Sequence, residues 1–99
     1  METVLDARAS KMFERIPSVP RRRLLEWAVR LEADPFLGDQ IVKERIPSGL
    51  SRCRNLWRLA LPDGWRALYT VVGFEENKTQ AVVVWIGSHM EYDRLLGYS

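Results

Sequence analysis

The sequence predicts an α+β fold: an N-terminal helical hairpin packed on one face of a mostly antiparallel four-stranded sheet, in the order β-α-α-β-β-β. Three observations predict it. Two segments in the first third of the chain carry apolar residues at helical spacing. Residues 55–72, NLWRLALPDGWRALYTVV, alternate like two amphipathic strands joined at Pro62-Asp63-Gly64. Residues 81–87, AVVVWIG, form a nearly unbroken apolar run, as in a central strand covered on both sides. Elements with one apolar face each stack into layers around a shared core.

Taken in order, residues 2–6 (ETVLD) tolerate a short first strand. Residues 7–16 place Ala9, Met12, Phe13 and Ile16 at i, i+3, i+4 and i+7, one face of a helix. Pro17 and Pro20 bracket a break, and Pro20 suits the first turn of a second helix, where its missing N–H costs nothing. That helix runs to about Ala33, with Leu24, Trp27, Ala28 and Leu31 as its core stripe. The Arg21-Arg22-Arg23 run opposes the helix macrodipole, and i,i+3 pairing of Arg23 with Glu26 accounts for part of it. Asp34-Pro35 ends the helix, because the residue before proline avoids the α region.

Residues 36–54 read as a loop, punctuated by Gly38, Pro47 and Gly49, with a short alternating piece, IVKERI, bridging onto the sheet. After the two strands, Glu75-Glu76-Asn77-Lys78 reads as a polar turn, and the tail HMEYDRLLGYS as a short helix or turn. There are no repeats, low-complexity stretches or linkers, so residues 1–99 are expected to form one domain.

Strand parity singles out two arginines. Successive strand side chains point to opposite faces. Leu56, Arg58 and Ala60 therefore share one face, with Trp57, Leu59 and Leu61 on the other. In the next strand Arg66, Leu68, Thr70 and Val72 go together, opposite Trp65, Ala67, Tyr69 and Val71. With the Trp/Leu/Tyr faces packed on helices, Arg58 and Arg66 become fixed positive charges on the opposite face, an arrangement suited to phosphate. Periodicity alone equally allows an arginine pair that only solubilises a half-covered sheet.

Bulk properties bound the function. With 99 residues there is room for one modest core. Apolar content of 46% and charged content of 28% are ordinary for a soluble globular chain. No apolar run approaches the roughly 20 residues needed to span a bilayer. METVLDARAS lacks the basic start and apolar core of a signal peptide. Cys53, the sole cysteine, forms no internal disulfide, so a cytoplasmic location is expected. It also lacks the cysteine and histidine companions of a zinc site, and neither metal nor cofactor is expected.

Net charge is only +2, but its distribution is uneven. Between residues 43 and 66 the basic residues are Lys43, Arg45, Arg52, Arg54, Arg58 and Arg66, against Glu44 and Asp63 alone. Acids collect elsewhere, in Glu32/Asp34/Asp39, Glu75/Glu76 and Glu91/Asp93. This segregation is the footprint of a polyanion-binding face. Twelve of the 15 basic residues are arginine, which favours planar, bidentate contact with phosphate or carboxylate. A solvated basic surface without a ligand is the alternative.

The only histidine, His89, follows the apolar strand, with Tyr92 three residues on. Histidine is the usual general acid or base near neutrality. Arginines plus a proton-transfer group are the minimum for cutting RNA through its own 2′-hydroxyl, in which cationic donors stabilise the charge that grows on phosphorus. As alternatives, His89 is a surface or capping residue, and Tyr92 and Tyr98 are packing aromatics with wet hydroxyls. Ser88-His89 adjacency is not triad geometry, and no glycine-rich phosphate loop is present.

The helical hairpin ending in DPFLG, the strand NLWRLAL, its partner GWRALYTV and the tail GSHMEYDRLLGY together resemble the RelE/ParE superfamily of toxins from type II toxin–antitoxin systems. The resemblance spans nearly the whole chain and is most specific from Arg66 to Tyr69. It implies a RelE/ParE-like fold and a cognate antitoxin as partner. RelE-like members cut mRNA in the ribosomal A site without a metal, whereas ParE-like members inhibit DNA gyrase without catalysis. Carried over by position, Arg66 matches the arginine that stabilises the transition state. Arg58 falls where a lysine or arginine faces the message, His89 falls at or beside an arginine-or-histidine position, and Tyr92 resembles the C-terminal tyrosine. Lys43, Arg45, Arg52 and Arg54 would then grip messenger or ribosomal RNA. Ala60 stands where some members carry a second lysine, which leaves an inactive relative as a further alternative. The tail is also expected to lack the extended C-terminal helix of many relatives.

Overall fold

A computed structural model describes residues 2–73 and 79–97 of the chain. The expected turn at 75–78 and Tyr98 lie outside the described residues. The elements are β1 (Val4–Leu5), α1 (Ala7–Phe13), α2 (Ser18–Ala33), β2 (Asp39–Gln40), β3 (Trp57–Ala60), β4 (Arg66–Val72), β5 (Gln80–Gly87) and α3 (His89–Leu96). The sheet order is β1-β5-β4-β3-β2, antiparallel except for the β1–β5 pair. The α+β architecture is as expected, with five strands rather than four.

The additional strand is β2, whose Asp39 and Gln40 face Arg58 and Trp57. Both residues are exposed, so this edge strand needs no apolar alternation and leaves no pattern to detect. IVKERI bridges onto the sheet only at its start, where Ile41 N–H donates to the Leu56 carbonyl at 2.8 Å, and Lys43–Arg45 within it forms a 3-10 turn. Helix α1 ends earlier than its apolar face suggests, with Glu14 as C-cap, although Ile16 is still buried. The arginine run has structural work. Arg21 donates to the carbonyls of Phe13 and Glu14 at 3.1 and 3.2 Å, and Arg23 lies 3.4 Å from Glu26.

Strand parity holds in β3 and β4. Leu59, Ala67, Tyr69 and Val71 pack with Ala9, Ile16, Leu24 and Leu31 of the helical hairpin and its connecting turn. The opposite face is not bare. A second core of Leu50, Leu56, Leu68, Trp85, Tyr92 and Leu96 forms beneath residues 43–54 and α3. A register shift in the β4–β5 ladder, where Leu68 faces Trp85 but Tyr69 faces Val83, lets Val84 and Trp85 both enter this second core. Such bulges turn a strand locally. Ile86 then returns to the hairpin side, and Gly87 lies opposite Arg66.

Two side chains tie irregular backbone to the sheet. The amide of Asn55 donates to the Val71 carbonyl at 2.9 Å and accepts from the Val71 N–H at 2.8 Å, extending the ladder just before β3 begins. The fully buried Tyr69 hydroxyl donates to the Pro35 carbonyl at 2.8 Å and accepts from Gly38 N–H at 2.9 Å. Burial pushes its pKa up to about 12. A Cβ at Gly38 would lie 2.8 Å from that hydroxyl, so the close approach needs glycine.

Candidate functional site

The site begins with the register of β3 and β4. Arg58 faces Leu68 and Ala60 faces Arg66, so the arginines are diagonal neighbours on the face away from the hairpin. Helix α3 then crosses this face. It starts at a capping box in which the Ser88 hydroxyl accepts from Glu91 N–H and the Glu91 carboxylate accepts from Ser88 N–H. It stops at Gly97, whose φ of 77° is the left-handed C-cap conformation. This fixes Tyr92, 3% exposed, against Trp85, with ring centroids 6.3 Å apart.

The guanidinium carbons of Arg58 and Arg66 both lie 6.0 Å from the centroid of the Tyr92 ring. Each arginine keeps a buried Nε with no hydrogen-bond partner among the described residues. Arg66 donates through Nη1 to the Trp65 carbonyl at 3.0 Å. Arg58 donates through Nη2 to Asp39 Oδ2 at 2.8 Å. Its pKa is raised, first by that hydrogen bond and to a lesser extent by Tyr92, against the opposing effect of burial. The outcome is two fixed cations beside a phenol at one end of the sheet, a geometry that can hold a tetrahedral anion.

His89 opens α3, and its Nε2 lies 3.1 Å from Asp93 Oδ2 one turn on. Its side chain is 58% exposed and stands over the β3–β4 turn, where a Cβ on Gly64 would come within 3.2 Å of its own. It is two residues beyond Gly87, the partner of Arg66. Arg58, Arg66 and Tyr92 are thus brought together, with His89 at the turn end of the same helix.

The other basic residues are dispersed. Lys43 and Arg45 sit exposed on their 3-10 turn. Arg52 and Arg54 border a separate groove of about 670 Å³ floored by Val72, Val82 and Val84, towards the end of β4 remote from Arg66. Arg52 there pairs with Asp6 at 2.9 Å. Cys53, also at this groove, is buried, and desolvation raises its pKa. No group of three or more His, Cys, Asp or Glu side chains among the described residues is placed to hold a metal ion. Nor is any described helix long and apolar enough to cross a membrane.

Sequence reasoning missed the acids. Its place in the chain groups Asp39 with Glu32 and Asp34, away from the basic stretch, yet it is the cross-strand partner of Arg58. Asp39 lies 19 residues from Arg58 in a stretch without periodicity, so only the β2–β3 pairing reveals the contact.

No protein-family model matches the chain, and no curated protein matches its sequence. Among solved structures, the E. coli toxin RelE, determined in the free state as a double arginine-to-alanine mutant, superposes with a TM-score of 0.61. The match covers 98% of this chain and 95% of that one. The fold is that of RelE. At 18% identity the likeness to RelE is one of architecture.

Proposed function

We propose that this chain is the toxin of a type II toxin–antitoxin pair, acting in the cytoplasm as a ribosome-dependent, metal-independent mRNA endonuclease. The observation that carries the reading is the convergence of Arg58 and Arg66 on Tyr92, on a sheet with the RelE fold. In this reading the two guanidiniums bind the scissile phosphodiester. They stabilise the negative charge that builds on its non-bridging oxygens as the neighbouring 2′-oxygen attacks phosphorus. His89, held by Asp93, takes the 2′-hydroxyl proton and delivers one to the departing 5′-oxygen, and the buried Tyr92 assists from beside the guanidiniums. The 2′-oxygen–phosphorus bond forms as the phosphorus–5′-oxygen bond breaks, which leaves a 2′,3′-cyclic phosphate and a 5′-hydroxyl. Lys43, Arg45, Arg52 and Arg54 contact RNA outside this centre. A cognate antitoxin carrying carboxylates opposite Arg58 and Arg66 neutralises the face.

The product ends test the chemistry. Fragments from a translated message incubated with ribosomes and this protein should carry 2′,3′-cyclic phosphates, and a 2′-deoxy substitution at the cut should abolish cleavage. Fragments ending in a 3′-hydroxyl would reject the mechanism. An intact message with loss of DNA supercoiling would point instead to gyrase inhibition.

A further inference from the structure

Arg58 already has an anion on it. Asp39 Oδ2 sits 2.8 Å from its Nη2, and β2–β3 pairing sets the two residues directly opposite each other. The Asp39 side chain is 68% exposed on a two-residue edge strand, whereas that of Arg58 is 34% exposed. A carboxylate and a phosphodiester present the same thing to a guanidinium, anionic oxygens at hydrogen-bonding distance. An exposed, singly bonded ion pair is weak and readily exchanged.

We propose that Asp39 is an internal counter-ion that occupies the phosphodiester position on Arg58 and thereby sets the affinity and salt dependence of this face for RNA. The inference rests on the nuclease reading for the identity of the ligand. RNA must displace the Asp39 carboxylate before Arg58 can engage a phosphate, and the displaced carboxylate then stays close by and repels it. Arg66 donates instead to the main-chain carbonyl of Trp65, a bond that brings no carboxylate onto it. The two arginines therefore differ in function: Arg66 holds phosphate from the outset, and Arg58 engages only when Asp39 yields. Asp39 is a residue that sets affinity, not one that takes part in the chemistry.

The test is fluorescence anisotropy with single-stranded RNA methylated at every 2′-oxygen, which binds but is not cut, titrated against the full chain over a range of salt. Asp39→Asn removes the charge and keeps an oxygen for Nη2, and Asp39→Ser removes both charge and reach. Both variants should bind about three- to tenfold tighter at low salt. The slope of log affinity against log salt should steepen by about 0.7, because the charge of Arg58 is no longer shared between its phosphate and the nearby Asp39 carboxylate. In an Arg58→Gln background the gain should vanish, since the two residues act as one unit.

Unchanged or weaker binding by both Asp39 variants, with binding still lost in Arg66→Ala, overturns this inference and leaves the nuclease reading standing. A gain that survives Arg58→Gln also overturns it. Absence of binding by every form overturns this inference alone, because the nuclease reading places the message on the ribosome and is decided by cleavage there.

Discussion

Arg58 and Arg66 belong to different strands and have different hydrogen-bond partners, yet both guanidinium carbons stand 6.0 Å from the same ring, that of Tyr92. The diagonal register of β3 and β4 sets their spacing, and the capped helix α3 supplies the ring. Two like charges gathered at one ring repel each other, and the Asp39 carboxylate, 2.8 Å from Arg58, offsets one of them.

Tyr92 should separate structural from chemical roles. Tyr92→Ala empties a buried position between Trp85 and the arginines and should lower stability by about 3 kcal/mol in urea unfolding. Tyr92→Phe keeps the ring. It should unfold near the parent midpoint and lose cleavage activity, while a fully active Tyr92→Phe would exclude the hydroxyl from proton transfer.

Gly87 is set by close approach. A Cβ there would lie 2.5 Å from the Trp85 indole. Gly87→Ala should cost about 1–3 kcal/mol through overpacking and displace the strand residue opposite Arg66. Thermal unfolding reads the loss, and a melting temperature equal to the parent's would contradict it.

Asn55→Ala removes both bonds to the Val71 main chain and leaves its N–H and carbonyl without their partner. A loss of about 2–3 kcal/mol is expected, since unsatisfied buried groups cost more than the bonds themselves contribute. Amide exchange should quicken at Val71 in particular. Unaltered protection there would refute the role.

The cap of α3 predicts an acid-side transition. Glu91 has its pKa lowered, chiefly by the hydrogen bond from Ser88 N–H. The folded state therefore favours the carboxylate. Its stabilising contribution is present above the unfolded pKa of about 4.5 and is lost as pH falls through the folded value. Glu91→Gln should be less stable at neutral pH and flatten the acid limb of the stability profile. Parallel profiles for the two proteins would refute the assignment.

The helices and the arginine face were legible because periodicity carries them. Alternation in 55–72 puts Arg58 and Arg66 on one face, and the i, i+3, i+4 pattern marks the hairpin. Features that depend on three-dimensional pairing left no such trace. Asp39 and Gln40 form an exposed strand without apolar alternation. The shift at Val84 hides inside a uniformly apolar run, where moving one residue changes no hydrophobic letter. The second core draws Leu50 and Cys53 from a stretch punctuated by proline and glycine, which reads only as loop. Charge clustering along the chain placed Arg52 and Arg54 with Arg58, but the chain between them turns, and they line a different groove.

The most direct test of the account is primer extension on a translated message with purified ribosomes and this protein, beside Arg66→Ala. Discrete breaks at A-site codons that vanish with Arg66→Ala are the predicted result. A message left intact by the parent protein, or cut equally well by Arg66→Ala, would contradict it.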